Sequence, residues 1–403
     1  MALKSVAPGF GALEGVKVVV SGVAYAGPFA ASLMGDYGAD VISVESTVAP
    51  DMIRPGSVFQ QMHRNQRAIA LNVPTEQGKE VFLKLIKETD IFIENSKAGQ
   101  WAKWGLDDET LWKVNPKLVI AHISGFGQTG LKEYTSRGSW DAIGQAFGGL
   151  MSMNGMPDPN PPMISNPYLC DYFTAIYGSW ACLAAYIKAQ KTGKGDSIDL
   201  AQYETLVYTM GDALMNLLNR GIEYKRMGTL NPKYGAWKTY DCKDGQIYCA
   251  PAGIGAMKKG LPFLGLVHGS EDIPESWQFT PTGTKGAALL EEKLTEYCAS
   301  HTVDEADREL NQAGILASPI MTHDRMENHP QYKARNVIAE WTDAQGKKIK
   351  GPDTIIRFKN SPGQIWKGAP KYGEDNEAVL SELGYSQEEI AKFYESKVLT
   401  QAK

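Results

Sequence analysis

The chain has 403 residues, 43% hydrophobic and 22% charged, with 41 basic side chains against 46 acidic ones. At roughly 150 residues per domain this length suggests about two or three domains; the apolar fraction is that of a globular protein, and the charged fraction excludes a disordered or acidic-tail protein. A net charge of −5 gives no global basic field for nucleic acid or an anionic membrane, so an anionic ligand must be met by local cations or backbone amides.

The opening MALKSVAPGF lacks the apolar core of a signal peptide, and no run of about 18 apolar residues is present to span a membrane. The five cysteines (Cys170, Cys182, Cys242, Cys249, Cys298) are scattered without a CxxC, which suggests neither a zinc site nor a disulfide framework. A reducing cytoplasm is the expected location.

Val16–Val20 is a short apolar run ending at Ser21-Gly22. Gly27-Pro28 opens a helix over Phe29–Tyr37 that stops at Gly38, with proline in the first turn and glycine past the end. Asp40–Glu45 and Ala68–Asn72 read as strands, and Pro74-Thr75 starts a helix to about Glu88. Ile91–Glu94 and Leu118–Ser124 are further strands, separated by a helix at Asp108–Val114. Repeated strand–helix–strand units predict a parallel sheet covered by helices. Gly138–Leu218 is mostly helical in pattern. From about Lys225 to Ser318 a hairpin around Asp244-Gly245 and short helices suggest a smaller α+β domain. After Pro330 the chain is turn-rich and closes with helices at Asn376–Leu383 and Gln387–Tyr394.

Gly125–Gly130 matches G-x-G-x-x-G and follows a strand, the signature of a dinucleotide site. The context fails: Leu131–Ser139 is polar and broken by Gly138, and Ala146–Met151 supplies no acid for a ribose hydroxyl. A nicotinamide or flavin cofactor is not expected.

Ser165-Asn166-Pro167 reads as a cap and first residue of a helix that runs to Lys191 and stops at Gly193. Phe173, Ile176, Trp180, Leu183 and Ile187 recur at helical spacing and are expected to form its buried face. Asp171 falls in the second turn. A carboxylate near a helix N-terminus is stabilised as the anion by up to about 1 kcal/mol when exposed. Such a group can be an ionised nucleophile at neutral pH and form acyl intermediates with an activated electrophile. An ordinary helix-dipole aspartate satisfies the same pattern.

Five segments, taken with their order and spacing, resemble the class III (CaiB/BaiF-type) CoA-transferases over nearly the whole chain. They are LEGVKVVVSGVAYAGPFA, KETDIFIENSK, NPKLVIAHISGFGQTG, the DYF at Asp171–Phe173, and TGKGDSIDLAQYE. The later FKNSPGQIWKGAP is similar to the carnitine-specific members in particular. The resemblance implies an α/β fold in which residues 1–224 and 330–403 build a Rossmann-like large domain with a parallel sheet. Residues 225–329 form an inserted small α+β domain, and two subunits interlock as a homodimer.

It also implies Asp171 as the nucleophile, passing through an anhydride and an aspartyl-CoA thioester. Coenzyme A enters as an acyl-CoA substrate with a small carboxylic acid as the other partner, without metal, NAD, nucleic acid or membrane. Lys97 corresponds to a CoA-contacting lysine, and Asn65 and Arg137 lie where relatives touch CoA. The family's arginine before the next Gly-Leu is Trp104 here, with Lys103 beside it. Ala24 belongs to the loop Val23–Tyr25 at the end of the first strand, where ligands of such sheets bind. Gly253 and Gly255 match a glycine-rich loop that shields the anhydride, and Trp140, before Asp141, an aromatic–acid pair near the active site.

Carnitine and crotonobetaine are the expected substrates, since a trimethylammonium prefers aromatic faces; 2-hydroxy acids such as phenyllactate or 2-hydroxyisocaproate are the alternative. The racemases of the family need a histidine where this chain has Trp140, and tryptophan cannot act as a base. His122, inside LVIAHIS, reads as a hydrogen-bonded core residue.

Overall fold

Six short strands pair side by side in the computed structural model, which describes Leu3 and residues 6–401. They are β1 (Lys17–Ser21), β2 (Asp40–Glu45), β3 (Gln66–Ala70), β4 (Ile91–Glu94), β5 (Val119–Ser124) and β6 (Asp196–Ala201). Their spatial order is β3-β2-β1-β4-β5-β6, and every pairing is parallel. Alternate side chains point to opposite faces. Val19, Ile42, Phe92 and Ile120 therefore meet α2 (Glu76–Lys87) and the C-terminal Leu380 and Phe393 on one side. Val18, Val20, Ile91, Ile93 and Ala121 meet Ala30 and Met34 of helix α1 (Ala26–Gly35) on the other. Burial on both faces is the reason these strands read as continuous apolar runs.

The helix α2 begins where Thr75 caps it, its Oγ1 accepting from Gly78 N at 3.0 Å. Edge strand β3 is sealed by the returning C-terminal segment. Ala68 N donates to the Asp375 carboxylate (2.7 Å) and Ala70 N to Asn376 Oδ1 (2.8 Å), which covers amides that an open edge would expose.

Three expectations change. The region after Gly138 contains a strand, β6, that its sequence (DSIDLA) concealed: an edge strand with charged side chains lacks the apolar run of a buried one. The helix expected from Pro167 spans Leu169–Thr192, and its buried face is not the large residues. Ile176, Trp180 and Ile187 are 49%, 69% and 56% exposed. Cys170, Thr174, Ala175, Gly178, Ser179 and Cys182 face inward instead. Small residues let this helix lie close to the sheet: a Cβ at Gly178 would stand 3.3 Å from Ile123 Cδ1.

The third concerns Asn65, expected to touch CoA. It is 1% exposed, and its carboxamide is used up internally. Nδ2 donates to Asp36 Oδ1 (2.9 Å) and Gln364 O (2.7 Å), while Oδ1 accepts from Trp366 N (2.8 Å) and Lys367 N (3.1 Å). It ties the C-terminal segment to the sheet.

The described residues divide into two compact units: those up to Gly149 with Ser165–Met210 and those from Pro330 to Gln401, and Leu150–Ile164 with Gly211–His329. The second unit is thus wider than 225–329. Arg226 donates to Asn160 O (2.7 Å) and pairs with Asp158, and Gly228 N donates to Gly155 O (3.0 Å), which binds 150–164 to this unit. Within it, strands Lys238–Cys242, Gly245–Ala250 and Leu316–Pro319 form an antiparallel sheet beside helices Lys285–Ala299 and Val303–Gln312.

Replacing Asn65 by Ala leaves several buried polar groups unpaired, at about 1–3 kcal/mol each before relaxation. The expected result is a clearly lower urea midpoint for Asn65→Ala with unchanged calorimetric affinity for CoA.

Candidate active site

A parallel sheet buried on both faces leaves its strand ends as the open positions, and a ligand crevice forms where the strand order reverses. Here the reversal lies between β1 and β4. A cavity of about 350 Å³ opens there. Val23–Ala26 follow β1, Asn95–Lys97 follow β4, Ile123 and Ser124 end β5 with Gly125 just beyond, and Gln202 follows β6; Arg137–Trp140 and Asp171 complete its lining.

Two of the loops are fastened together. Asn95 accepts from Val23 N and donates to Val23 O, both at 2.9 Å. Ala24 has a left-handed backbone (φ 62°), and its N–H donates to the buried Asp51 carboxylate at 3.0 Å. Lys97 and Arg137 are exposed cations on the lining. Neither is ion-paired among the described residues; Arg137 lies 4.2 Å over the Tyr134 ring and donates from Nε to Glu133 O at 2.9 Å. Two unpaired cations beside a cavity suit the phosphates of a nucleotide thioester.

Asp171 is the third residue of its helix, in the first turn and not the second, and is 5% exposed. The helix's free N–H groups serve another acid. Asp171 N donates to Asp141 Oδ1 at 3.1 Å, and Asp141 is itself held by Gln145 Nε2 at 2.6 Å. The Asp171 carboxylate accepts from Gln202 Nε2. Burial, followed by the negative charge of Asp141, pushes Asp171 up from the usual carboxylate range to about 7, with Gln202 opposing. That displacement corresponds to roughly 4 kcal/mol against the anion. It outweighs the helix N-terminus, worth at most about 1–2 kcal/mol. The expectation that the helix N-terminus stabilises Asp171 as the anion is therefore corrected: burial and the neighbouring Asp141 hold its carboxyl up at about 7.

Trp104 and Lys103 are not part of this lining. Trp104 is half-buried, edge-on to Trp101 with ring centroids 5.2 Å apart, and packs on the core beneath α2. Lys103 is exposed on the short helix Gln100–Lys103, and neither residue lines the cavity. Gly253 and Gly255 belong to the second unit, where they start a helical turn instead of an open loop. The Gly253 N–H is taken by Gln278 O at 2.7 Å, so it is not a free oxyanion donor. In the Gly125–Gly130 loop, Gln128 N donates to Asp199 Oδ1 at 2.7 Å, which occupies an amide that a pyrophosphate would need. Trp140 lines the cavity with 56% of its surface exposed.

Gln202 and Asn95 escaped the sequence reading of the site. Their shared signal is a polar carboxamide immediately after a parallel strand; for Gln202 it was lost because β6 itself went unrecognised.

A sequence model of CoA-transferase family III matches residues 13–376. The chain is 43% identical to the bile acid CoA-transferase BaiK of Clostridium scindens over 390 residues, covering 96% of this chain and 89% of that protein. Among solved structures, a CAIB/BAIF family protein from Brucella suis is 32% identical with a TM-score of 0.79, covering 93% of this chain and all of that one. Rv3272 from M. tuberculosis is 25% identical with a TM-score of 0.76, covering 93% and 99%. The chain belongs to CoA-transferase family III, and is accordingly an enzyme acting on CoA thioesters.

The Asp171 carboxyl should ionise with a midpoint near 7, read by infrared difference spectroscopy of the wild type against Asp171→Asn across a pH titration. Asp141→Asn removes a charge that raises the midpoint and should lower it; Gln202→Leu removes a donor that lowers it and should raise it.

Proposed function

We propose that this enzyme moves CoA from an acyl-CoA to a free carboxylic acid, with Asp171 as the covalent carrier. The observation that carries the reading is a buried carboxylate that titrates near 7, in a cavity at the strand-order reversal that also presents Lys97 and Arg137. The Asp171 carboxylate attacks the thioester carbonyl, the C–S bond breaks, and CoA leaves as thiolate from a mixed anhydride. The thiolate attacks the aspartyl carbonyl and releases the donor acid, giving an aspartyl-CoA thioester. The acceptor carboxylate attacks that thioester, its C–S bond breaks, and CoA leaves again as thiolate from a second anhydride. The thiolate then takes the acceptor acyl group and regenerates Asp171. Each step exchanges one activated carbonyl for another, so the thioester's free energy is retained. Burial serves the nucleophile, because a carboxylate stripped of water is the more reactive one and water would hydrolyse the anhydride.

Lys97 and Arg137 take the CoA phosphates in this reading. The acceptor lies toward Trp140, whose exposed ring suits a quaternary ammonium or a flat apolar body. Carnitine and crotonobetaine are supported by the C-terminal FKNSPGQIWKGAP, and a sterol acid by the likeness to BaiK. A homodimer is part of the same reading, supported by the exposed apolar Trp180 (69%) and Tyr208 (81%). So is a reducing compartment, supported by five unpaired cysteines.

Asp171→Ala should abolish acyl-CoA exchange while keeping the folded state, and hydroxylamine added during wild-type turnover should leave an Asp171 hydroxamate detectable by mass spectrometry. Exchange by the alanine variant would overturn the mechanism. A competition among carnitine, crotonobetaine, a bile acid and a 2-hydroxy acid for one acyl-CoA donor decides the substrate class; turnover of the bile acid alone would remove the betaine reading.

A further inference from the structure

One polar row crosses the sheet at its functional end. Glu94 on β4, His122 on β5 and Asp199 on β6 are register partners on adjacent strands. His122 Nδ1 stands 2.7 Å from Glu94 Oε1, and Nε2 stands 2.9 Å from Asp108 Oδ1 at the start of the helix Asp108–Val114. Ionised carboxylates only accept, so both ring nitrogens carry protons and the ring is an imidazolium. The two acids hold its pKa up at about 9 against the opposing effect of its burial.

The row is fastened to the loops around the cavity. The second oxygen of Glu94 accepts from Ser96 N at 2.6 Å, and Ser96 Oγ accepts from Trp101 Nε1 at 3.3 Å. Asp199 fixes the next loop through Gln128 N (2.7 Å), and Gln128 Oε1 accepts from Gly99 N (3.1 Å), which joins that loop back to the first. Lys97 lies between these anchors, and its Cε is 3.5 Å from where a Cβ on Gly138 would be. His122 itself is not among the residues lining the cavity.

We propose that His122, clamped between Glu94 and Asp108, is a positioning residue that fixes the Asn95–Lys97 turn and thereby aims Lys97 at the phosphates of CoA. The inference rests on the CoA site proposed above. A neutral imidazole can donate to one acid only; when Glu94 is the acid released, this buried carboxylate is left with the Ser96 amide alone as its donor, and its charge beside the turn is no longer balanced. The other charged groups lining the cleft on this side are Asp107, Glu109 and Asp199, all acidic, so no cation there substitutes for the ring. The turn should loosen, and Lys97 with it, as pH passes about 9.

Calorimetric binding of CoA and of pantetheine, which lacks the nucleotide phosphates, tests this without requiring turnover. His122→Gln should weaken CoA binding about tenfold, the scale of one charge-assisted contact, and leave pantetheine unchanged. In a Lys97→Ala background the same substitution should add nothing. Wild-type affinity for CoA should fall as pH passes about 9, and that decline should be absent from His122→Gln. Equal loss for both ligands, additivity with Lys97→Ala, or an unchanged pH profile would overturn the proposal. Asp108→Asn, at the more exposed end of the array, serves the same comparison if His122→Gln does not fold. Wild-type protein that binds CoA but exchanges no acyl group would instead overturn the transferase mechanism and leave this test standing.

Discussion

The reversal of strand order between β1 and β4 is the constraint on which the rest of the site depends. With both faces of the sheet buried under helices, chemistry is confined to the strand ends, and where neighbouring connections leave in opposite directions a crevice opens. A crevice of this kind has weakly supported walls unless something holds them. Asn95 does so by pairing with both backbone groups of Val23. The close approach explains Gly22: a Cβ there would stand 2.5 Å from Asn95 Oδ1, so any larger residue would break the clamp.

Asp171 shows two opposed electrostatic effects with a decided winner. A helix N-terminus favours an anion, but the amide that supplies this effect to a side chain points at Asp141. Asp171 sits behind it, buried, with a second carboxylate nearby and one neutral donor. Desolvation dominates because its cost grows with each lost water, whereas the dipole acts through partial charges of about half a unit. For a carboxylate nucleophile the result is useful: the anion is accessible near neutral pH yet poorly solvated.

Strand and helix identity was legible in the sequence wherever burial was two-sided. Ile91–Glu94 and Asp108–Val114 lie where the apolar runs and acidic caps put them. Legibility failed where periodicity carried the wrong weight. On the helix holding Asp171 the largest apolar residues mark a face, but not the one against the sheet, since close packing there selects Ala, Gly, Ser and Cys. Asp171, Lys97, Arg137, Ala24 and Trp140 come together in one cavity. Asn65 and Trp104 do not, because a motif position fixes the backbone location of a residue and not the partners its side chain finds. Asn65 found the C-terminal segment, hundreds of positions away in sequence, and no local pattern contains that information.

The negative net charge of the chain is compatible with an anionic substrate because the carboxylates nearest the cavity are directed inward. Glu94 is shared between His122 and Ser96 N. Asp51 accepts from Ala24 N and Ile53 N. Asp141 accepts from Asp171 N and Gln145. Each acid is paired with a donor that also shapes the site, so its charge is partly neutralised at the point where it would repel phosphate. Among the described residues Lys97 and Arg137 have no carboxylate partner. Local pairing, not total charge, sets the field that a ligand meets, because at physiological salt charges more than about 8 Å away are largely screened. A chain of overall acidic composition can therefore present a basic entrance using two side chains.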